Sequence, residues 1–140
     1  MTVAPGQVIP KPVPKYGADT APYWEHVKEH SLHLQKCASC GKLRMYPRPM
    51  CDNCYSLESE WVPAKGTGKV YSWCTVFQPV HPAWKDELPF TIVEVELDEG
   101  VRIRSTVVDV PHDQLQVGMP VEAIYDDVSD EVTVVKFRRV

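Results

Sequence analysis

Four cysteines in two pairs constrain this chain most. Cys37 and Cys40 frame one C-x-x-C pair, Cys51 and Cys54 frame a second, and ten residues separate the pairs. Two such pairs can close a tetrahedral site of four thiolates, which suits zinc. Because four thiolates leave no open coordination position, the pattern predicts structural Zn²⁺ and not a catalytic metal. An iron centre of rubredoxin type uses the same ligands, and the sequence leaves it open. A thioredoxin-type redox site is disfavoured, since one pair would suffice for it.

Length and composition place the chain among small globular proteins. Its 140 residues are enough for one domain or two very small ones. No run of about 18 apolar residues predicts a membrane span, and residues 1–16 lack the apolar core of a signal peptide. We therefore expect a cytoplasmic protein, and in a reducing compartment paired C-x-x-C motifs more often bind metal than form disulfides.

Proline and the cysteines divide the chain into three segments. Residues 1–22 contain five prolines and predict an extended arm that is either disordered or laid along another surface. Residues 23–65 predict a short helix over 23–31, a strand from 32 to 35, and a zinc ribbon. The metal must supply much of the folding free energy of so small a ribbon. Gly41 follows the first pair, where a tight turn favours positive φ. Tyr55 occupies the equivalent place after the second pair, so that turn is less typical.

Residues 66–140 carry dense strand signals. In residues 90–97, Thr91 and Val93 alternate with Glu94 and Glu96, as expected of a strand with one buried face. Gly66 to Lys69 lacks the spacing of a phosphate loop and predicts a hinge. The predicted strands are 69–78, 90–97, 101–108, 121–125 and 132–137, with a helical turn over 112–117. The fold class is therefore small α+β or all-β: an N-terminal helix, a zinc ribbon, then a five-stranded Greek-key barrel of OB type.

Other motifs carry weaker signals. His26 to His30 matches the H-x-x-E-H pattern of some metalloproteases, but a solvent-facing helix surface explains it better. Cys74 is expected to be a buried free thiol, although a neighbouring His81 would allow a nucleophile. The barrel aromatics, including Trp73, predict packing more than a base-stacking platform. The long loop of residues 79–89, with an apparently exposed Trp84, predicts contact with a protein or ligand.

The charges are unevenly distributed. Residues 36–65 carry five Lys or Arg and three Asp or Glu, a net +2, whereas residues 66–140 carry seven and thirteen, a net −6. The acidic second half is a poor match for a nucleic-acid backbone. A basic stretch with no intervening acid is either a solvated face or a contact for a small anion or an acidic partner. It consists of Lys36, Lys42, Arg44 and Arg48.

The order of these landmarks resembles a known family. A tryptophan-bearing helix precedes LQKCASCGKLRMYPRPMCDNC, and GTGKVYSWCTV, LPFTIVEVELDEGVRIRSTVVD, VGMPVEAIY and VVKFRRV follow. The pattern is similar to the acyl-CoA-associated proteins that join a rubredoxin-like zinc ribbon to an OB fold. It covers roughly residues 20–140 and leaves the proline-rich arm unexplained.

The resemblance implies an accessory subunit, because such proteins partner thiolases, thiolase-like aldolases or acyl-CoA hydratases; the small zinc-finger subunit of benzoylsuccinyl-CoA thiolase is one. We expect a hetero-oligomer with a larger thiolase-like catalytic subunit, and a coenzyme A thioester as a shared ligand. The four cations of the basic stretch are the expected contacts to coenzyme A (CoA). The alternative is a single-stranded nucleic-acid binder, a role that zinc ribbons and OB folds also serve.

Overall fold

The structure, a computed structural model, describes residues 8–140. Helix α1 spans Ala21–Lys28, with proline in its first turn, where the missing N–H costs nothing. Tyr23 and Val27 lie one turn apart and are both buried, so this face of the helix points into the protein. The helix begins earlier than the sequence predicts and ends sooner, because His30 adopts a left-handed backbone with φ of 58°.

The zinc ribbon is a three-stranded antiparallel sheet. Its central strand, β1, spans His33–Cys37, and β2 (Leu43–Arg44) and β3 (Ser59–Pro63) flank it. The sequence did not predict β3. None of its five residues is buried, so the strand lacks the alternation of buried and exposed positions by which a half-buried strand is recognised.

Five further strands form the OB-type barrel. They are β4 (Thr67–Val76), β5 (Phe90–Leu97), β6 (Arg102–Ser105), β7 (Pro120–Asp127) and β8 (Thr133–Arg139). They pair antiparallel in the order β6-β5-β4-β7-β8. A parallel bridge between Val107 and Phe137 brings the chain after β6 against β8 and curls the sheet into a barrel. The predicted fold class is confirmed.

Strand β5 follows its predicted alternation. Thr91, Val93, Val95 and Leu97 are all buried. The predicted helical turn over 112–117 is an irregular turn and not a helix. Leu115 from this segment is buried and belongs to the core of the barrel.

One hydrophobic core joins the helix, the ribbon and the barrel. Val27, Leu32 and Leu34 lie in the same buried cluster as Phe137 of β8. The backbone N–H of Leu32 also donates to the hydroxyl of Tyr125 in β7 at 2.9 Å. At the predicted hinge, residues 66–68, both glycines are buried, and residues 67 and 68 belong to β4.

The described part of the proline-rich arm lies against the folded core. The ring of Tyr16 stacks on Trp24 of α1, with 6.0 Å between centroids. The ammonium of Lys11 pairs with Glu87 in the loop between β4 and β5. The first seven residues of the predicted arm lie outside the described residues. Across the part of the chain that is described, no helix has the length and apolarity needed to cross a membrane.

Candidate metal centre and basic pocket

The two C-x-x-C pairs bring four sulfur atoms together. All four lie within 4.8 Å of one another. The Sγ atoms of Cys37 and Cys54 are 3.5 Å apart, and those of Cys40 and Cys51 are 3.6 Å apart. A zinc ion bound tetrahedrally at about 2.3 Å from each sulfur requires sulfur–sulfur distances of about 3.8 Å. The four side chains therefore fit structural zinc with only small adjustments.

Two equivalent turns present these sulfurs. The N–H of Gly41 donates to the carbonyl of Cys37 at 3.0 Å, and the N–H of Tyr55 donates to the carbonyl of Cys51 at 3.0 Å. Both donors adopt a left-handed backbone, with φ of 76° at Gly41 and 61° at Tyr55. The second turn thus matches the first in geometry, although an exposed tyrosine replaces the glycine that this conformation favours.

Electrostatics at the cysteines favours a bound cation. The amide N–H groups of Cys54 and Asn53 donate to the sulfur of Cys51 and lower its pKa to about 6. The pKa of Cys54 is raised to about 11. The amide of Ser56 lowers it, but the hydrogen bond to the sulfur of Cys37, desolvation, and hydrogen bonds to the sulfurs of Cys40 and Cys51 outweigh that effect. Four adjacent thiolates repel one another, so a divalent cation is what allows all of them to ionise together.

A basic pocket of about 540 Å³ lies where the ribbon meets the barrel. Lys42, Arg44 and Arg48 line it from the ribbon, and Arg102 and Arg104 line it from β6. Two acids, Asp52 and Glu94, also face it. Five cations against two carboxylates give this pocket a net positive charge, which attracts anions.

Lys36 lies apart from the other three predicted cations. Its Nζ is 3.4 Å from the carboxylate of Glu60 on the neighbouring strand β3. It is not among the residues that line the basic pocket. Side chains alternate across a strand, so Lys36 and its neighbour Gln35 point to opposite faces of the ribbon.

The most constrained cation of the pocket is Arg44. It is only 6% exposed. Its Nε donates to Oε1 of Gln35 at 3.0 Å, and its Nη2 donates to the carbonyl of Arg48 at 3.3 Å. Within the described chain, Nη1 is buried without a hydrogen-bond partner. A buried guanidinium with an unused donor favours a bound anion.

The other cations are engaged to different degrees. Nζ of Lys42 donates to Asp52 at 2.6 Å. This hydrogen bond raises the pKa of Lys42 and lowers that of Asp52. The guanidinium of Arg102 lies 3.6 Å from the ring centroid of Tyr71, a cation–π contact. Arg102 and Arg104 were not among the cations expected from the sequence, because nothing in it shows that β6 runs beside the ribbon.

The H-x-x-E-H motif does not bind metal as a unit. The ring of His26 stacks on His33 with 3.7 Å between centroids. Nε2 of His30 instead lies 2.9 Å from the carboxylate of Asp127 in the barrel. Among the described residues, the four cysteines are the one cluster of three or more potential metal ligands.

Two expectations about single residues are wrong. Cys74 is exposed and not buried, because its side chain lies on the outer face of β4. Trp84 is half-buried and not exposed. The loop that carries Trp84 folds into a 3-10 helix, Pro82–Glu87, which turns the indole toward the barrel, where it borders two cavities.

Comparison with known proteins identifies the family. The family model described as the rubredoxin-like zinc ribbon domain of ChsH2 matches residues 24–60, and that of the C-terminal OB-fold domain of ChsH2 matches residues 61–126. A "DUF35 domain-containing scaffold protein" of Methanocaldococcus jannaschii is 34% identical over 113 residues, which cover 77% of each chain. The chain belongs to the DUF35 family. The solved structure titled "Ltp2-ChsH2(DUF35) aldolase" includes a chain 36% identical to this DUF35 protein, with a TM-score of 0.83, covering 91% of this chain and 98% of that one.

Two further relatives of this DUF35 chain have names from acyl-CoA metabolism. A "Probable enoyl-CoA hydratase alpha subunit" of Thermomonospora curvata is 38% identical over 128 residues, 91% of this chain. The match spans only 40% of the length of that hydratase subunit. "Benzoylsuccinyl-CoA thiolase subunit BbsA" of Geobacter metallireducens is 34% identical over 68 residues, 49% of this chain and 44% of BbsA. The resemblance expected from the sequence is confirmed.

Proposed function

We propose that this DUF35 chain is a non-catalytic, zinc-stabilised subunit of a thiolase-like complex that converts acyl-CoA thioesters. A larger partner subunit carries out the cleavage or condensation of the carbon–carbon bond. Three relatives support this assignment, since their names are those of a thiolase subunit, an aldolase assembly and a hydratase subunit. A site closed by four thiolates offers no position for substrate, so the metal serves to stabilise the ribbon.

The basic pocket is the observation that carries this proposal. CoA bears phosphate groups, and arginine forks and lysine ammonium groups are the usual partners of phosphate in proteins. The pocket holds three of the four cations expected from the sequence, and β6 adds two more. The proposed CoA contacts are therefore Lys42, Arg44, Arg48, Arg102 and Arg104. Lys36 remains a candidate only for contact with the partner subunit.

Few aromatic faces of the barrel are free for base stacking, which argues against the nucleic-acid alternative. Tyr71 has one ring face against Arg102 and Trp84 turns toward the barrel, whereas Phe77 is exposed. The barrel segment also carries the net −6 charge counted above.

Purification of the tagged chain from its native cells tests the assembly. We expect a larger acyl-CoA enzyme to copurify in fixed stoichiometry and to lose thioester turnover when the DUF35 chain is removed. Mass spectrometry identifies the partner, and adding back the purified chain should restore turnover. A chain that runs as a stable monomer, with no acyl-CoA enzyme bound, would overturn the proposal.

A pair of arginine variants tests the CoA site in the purified complex. Arg48→Ala should weaken CoA binding about tenfold, the usual effect of losing one charged hydrogen bond. Thermal stability should not change, because the Arg48 side chain is exposed. Arg138→Ala is the matched control: it removes an exposed arginine of β8 that pairs with Glu122 and does not line the pocket. Equal CoA affinities of the two variants would remove Arg48 from the site.

A further inference from the structure

The basic pocket opens beside a second cavity of different character. This apolar chamber has a volume of about 490 Å³, within the range of small-molecule sites. Met45, Tyr46 and Arg104 line both cavities. Tyr46 joins the ribbon to the barrel at this point, because its hydroxyl accepts a hydrogen bond from the N–H of Arg104 at 2.9 Å.

The walls of the chamber come from separate parts of the chain. The helix contributes Tyr23 and Trp24, the 3-10 helix contributes Trp84, and the barrel contributes Phe90 and Ile103. Such a chamber exists only when all these elements are assembled. Its surface is aromatic and aliphatic, which suits an apolar ligand.

Two polar side chains on the chamber wall are already engaged within the protein. The hydroxyl of Ser105 donates to the carbonyl of Val135 at 2.6 Å. The ammonium of Lys136 donates to Asp126 at 2.5 Å. A ligand group in the chamber therefore gains little from hydrogen bonds with these side chains and gains most from removing apolar surface from water.

The neighbouring pocket offers the opposite chemistry. Arg44 is more than nine-tenths buried, and its Nη1 has no partner among the described residues. Arg104 lies at the boundary of the two cavities and makes no ion pair within residues 8–140. An anionic group bound by these arginines would lie in the basic pocket, which shares Met45, Tyr46 and Arg104 with the chamber.

We infer that the two cavities together form one binding site for an anionic amphiphile: a carboxylate or phosphate head in the basic pocket and an apolar acyl tail in the chamber. The inference rests on the proposed function only for the source of the ligand. If that function holds, the tail belongs to an acyl thioester and the DUF35 chain holds the acyl group that its partner processes. A free fatty acid presents the same chemistry.

Calorimetric titration of the zinc-loaded full chain, without any partner, tests the site. The probes are decanoate, decan-1-ol with the same tail and no charge, CoA, and decanoyl-CoA, all below micellar concentrations. We expect one decanoate per chain, bound at least about tenfold more tightly than decan-1-ol because of the charged head. If the chain binds decanoyl-CoA more tightly than decanoate, the ligand is an acyl thioester. If it binds decanoate more tightly, the ligand is a free acid. No decanoate binding, or equal binding of decanoate and decan-1-ol, would overturn the inference.

Two pairs of variants locate the binding. Arg104→Gln should weaken the binding of decanoate about tenfold and leave the binding of decan-1-ol unchanged. Arg138→Gln, at an exposed position outside both cavities, should change the binding of neither probe. Met45→Trp should fill the space where the two cavities meet and weaken the binding of both probes. Met50→Trp adds the same bulk at an exposed ribbon position that lines neither cavity, and should have no effect. If each variant behaves like its control, decanoate binds elsewhere and the inference fails.

These outcomes are independent of the proposed function. The titrations use no catalytic partner, so loss of decanoate binding would leave the copurification result intact. Equally, a chain that binds decanoate but never copurifies with an acyl-CoA enzyme would retain the amphiphile site and lose the accessory role.

Discussion

The guanidinium of Arg44 donates from Nε to the side-chain oxygen of Gln35 at 3.0 Å, across the pair of strands β1 and β2. The same oxygen accepts the backbone N–H of Arg48 at 2.8 Å. A neutral amide thus orients a buried cation without neutralising it. The charge of Arg44 therefore remains available to an anion in the basic pocket.

Removal of this amide should be costly. Gln35→Ala leaves a buried guanidinium and a backbone N–H without their shared acceptor, and we expect a loss of about 3 kcal/mol in the free energy of unfolding. Urea denaturation with zinc present measures the loss. Ser59→Ala is the control, because it removes only the exposed hydroxyl that accepts from Gln35 at 3.2 Å. Similar losses in the two variants would show that the bond to Arg44 contributes little.

Gly68 allows two strands to approach closely. A Cβ at this position would lie 2.4 Å from the carbonyl oxygen of Glu96 on β5. Gly68→Ala must therefore displace backbone, and we expect a loss of about 3 kcal/mol in unfolding free energy, seen as a lower urea midpoint. Gly17→Ala is the matched control, since a Cβ there meets no atom within 4 Å. A fully stable Gly68→Ala variant would contradict the strand register described above.

The second metal-binding turn carries strain that glycine would relieve. Tyr55 has a φ of 61° and an exposed side chain, so Tyr55→Gly should raise the unfolding free energy of the zinc-loaded protein by about 1 kcal/mol. Gly41→Ala should lower it by about the same amount in the first turn. Ala38→Gly, at an exposed position without positive φ, controls for a general effect of glycine and should be slightly destabilising. Destabilisation by Tyr55→Gly would indicate that the tyrosine ring makes a stabilising contact.

Burial of Tyr23 predicts a loss of stability at high pH. Desolvation raises the pKa of this phenol well above its usual value of about 10. The buried, neutral phenol makes its full contribution to the free energy of unfolding below about pH 10. That contribution is lost as the pH rises toward the folded-state pKa, because the phenol ionises readily only in the unfolded state. Above pH 10 the loss approaches about 1.4 kcal/mol per pH unit. Tyr23→Phe should flatten this dependence in thermal melts between pH 9 and 11; an unchanged slope would contradict it.

Loss of one thiolate should release the metal. We expect Cys40→Ser to lose zinc by elemental analysis and to melt at a lower temperature, while circular dichroism retains much of the β signal of the barrel. Most residues of the shared hydrophobic core come from the barrel, whereas the ribbon contributes few of them and depends on the ion. Cys74→Ser is the control, because Cys74 is exposed and lies outside the four-sulfur cluster. Full zinc content in Cys40→Ser would contradict the ligand assignment.

Local patterns were sufficient for several elements. The spacing of the cysteines predicted a site that needs only short-range turns to form, and the alternation of Thr91 to Leu97 predicted β5 to the residue. Patterns failed where a strand has no buried residue and where a loop folds inward. Strand β3 has no buried residue, and the loop around Trp84 resembles an exposed loop until its 3-10 helix turns inward.

The sequence by itself determined the metal ligands, the class of fold and the family resemblance, because each depends on residues close together in the chain or on the order of short segments. Only the tertiary structure decided which cations share a pocket. Arg104 of β6 lines the same pocket as Arg44 of the ribbon because one hydrophobic core holds helix, ribbon and barrel together. Lys36, one residue from Gln35, points to the opposite face for the simple reason that side chains alternate along a strand.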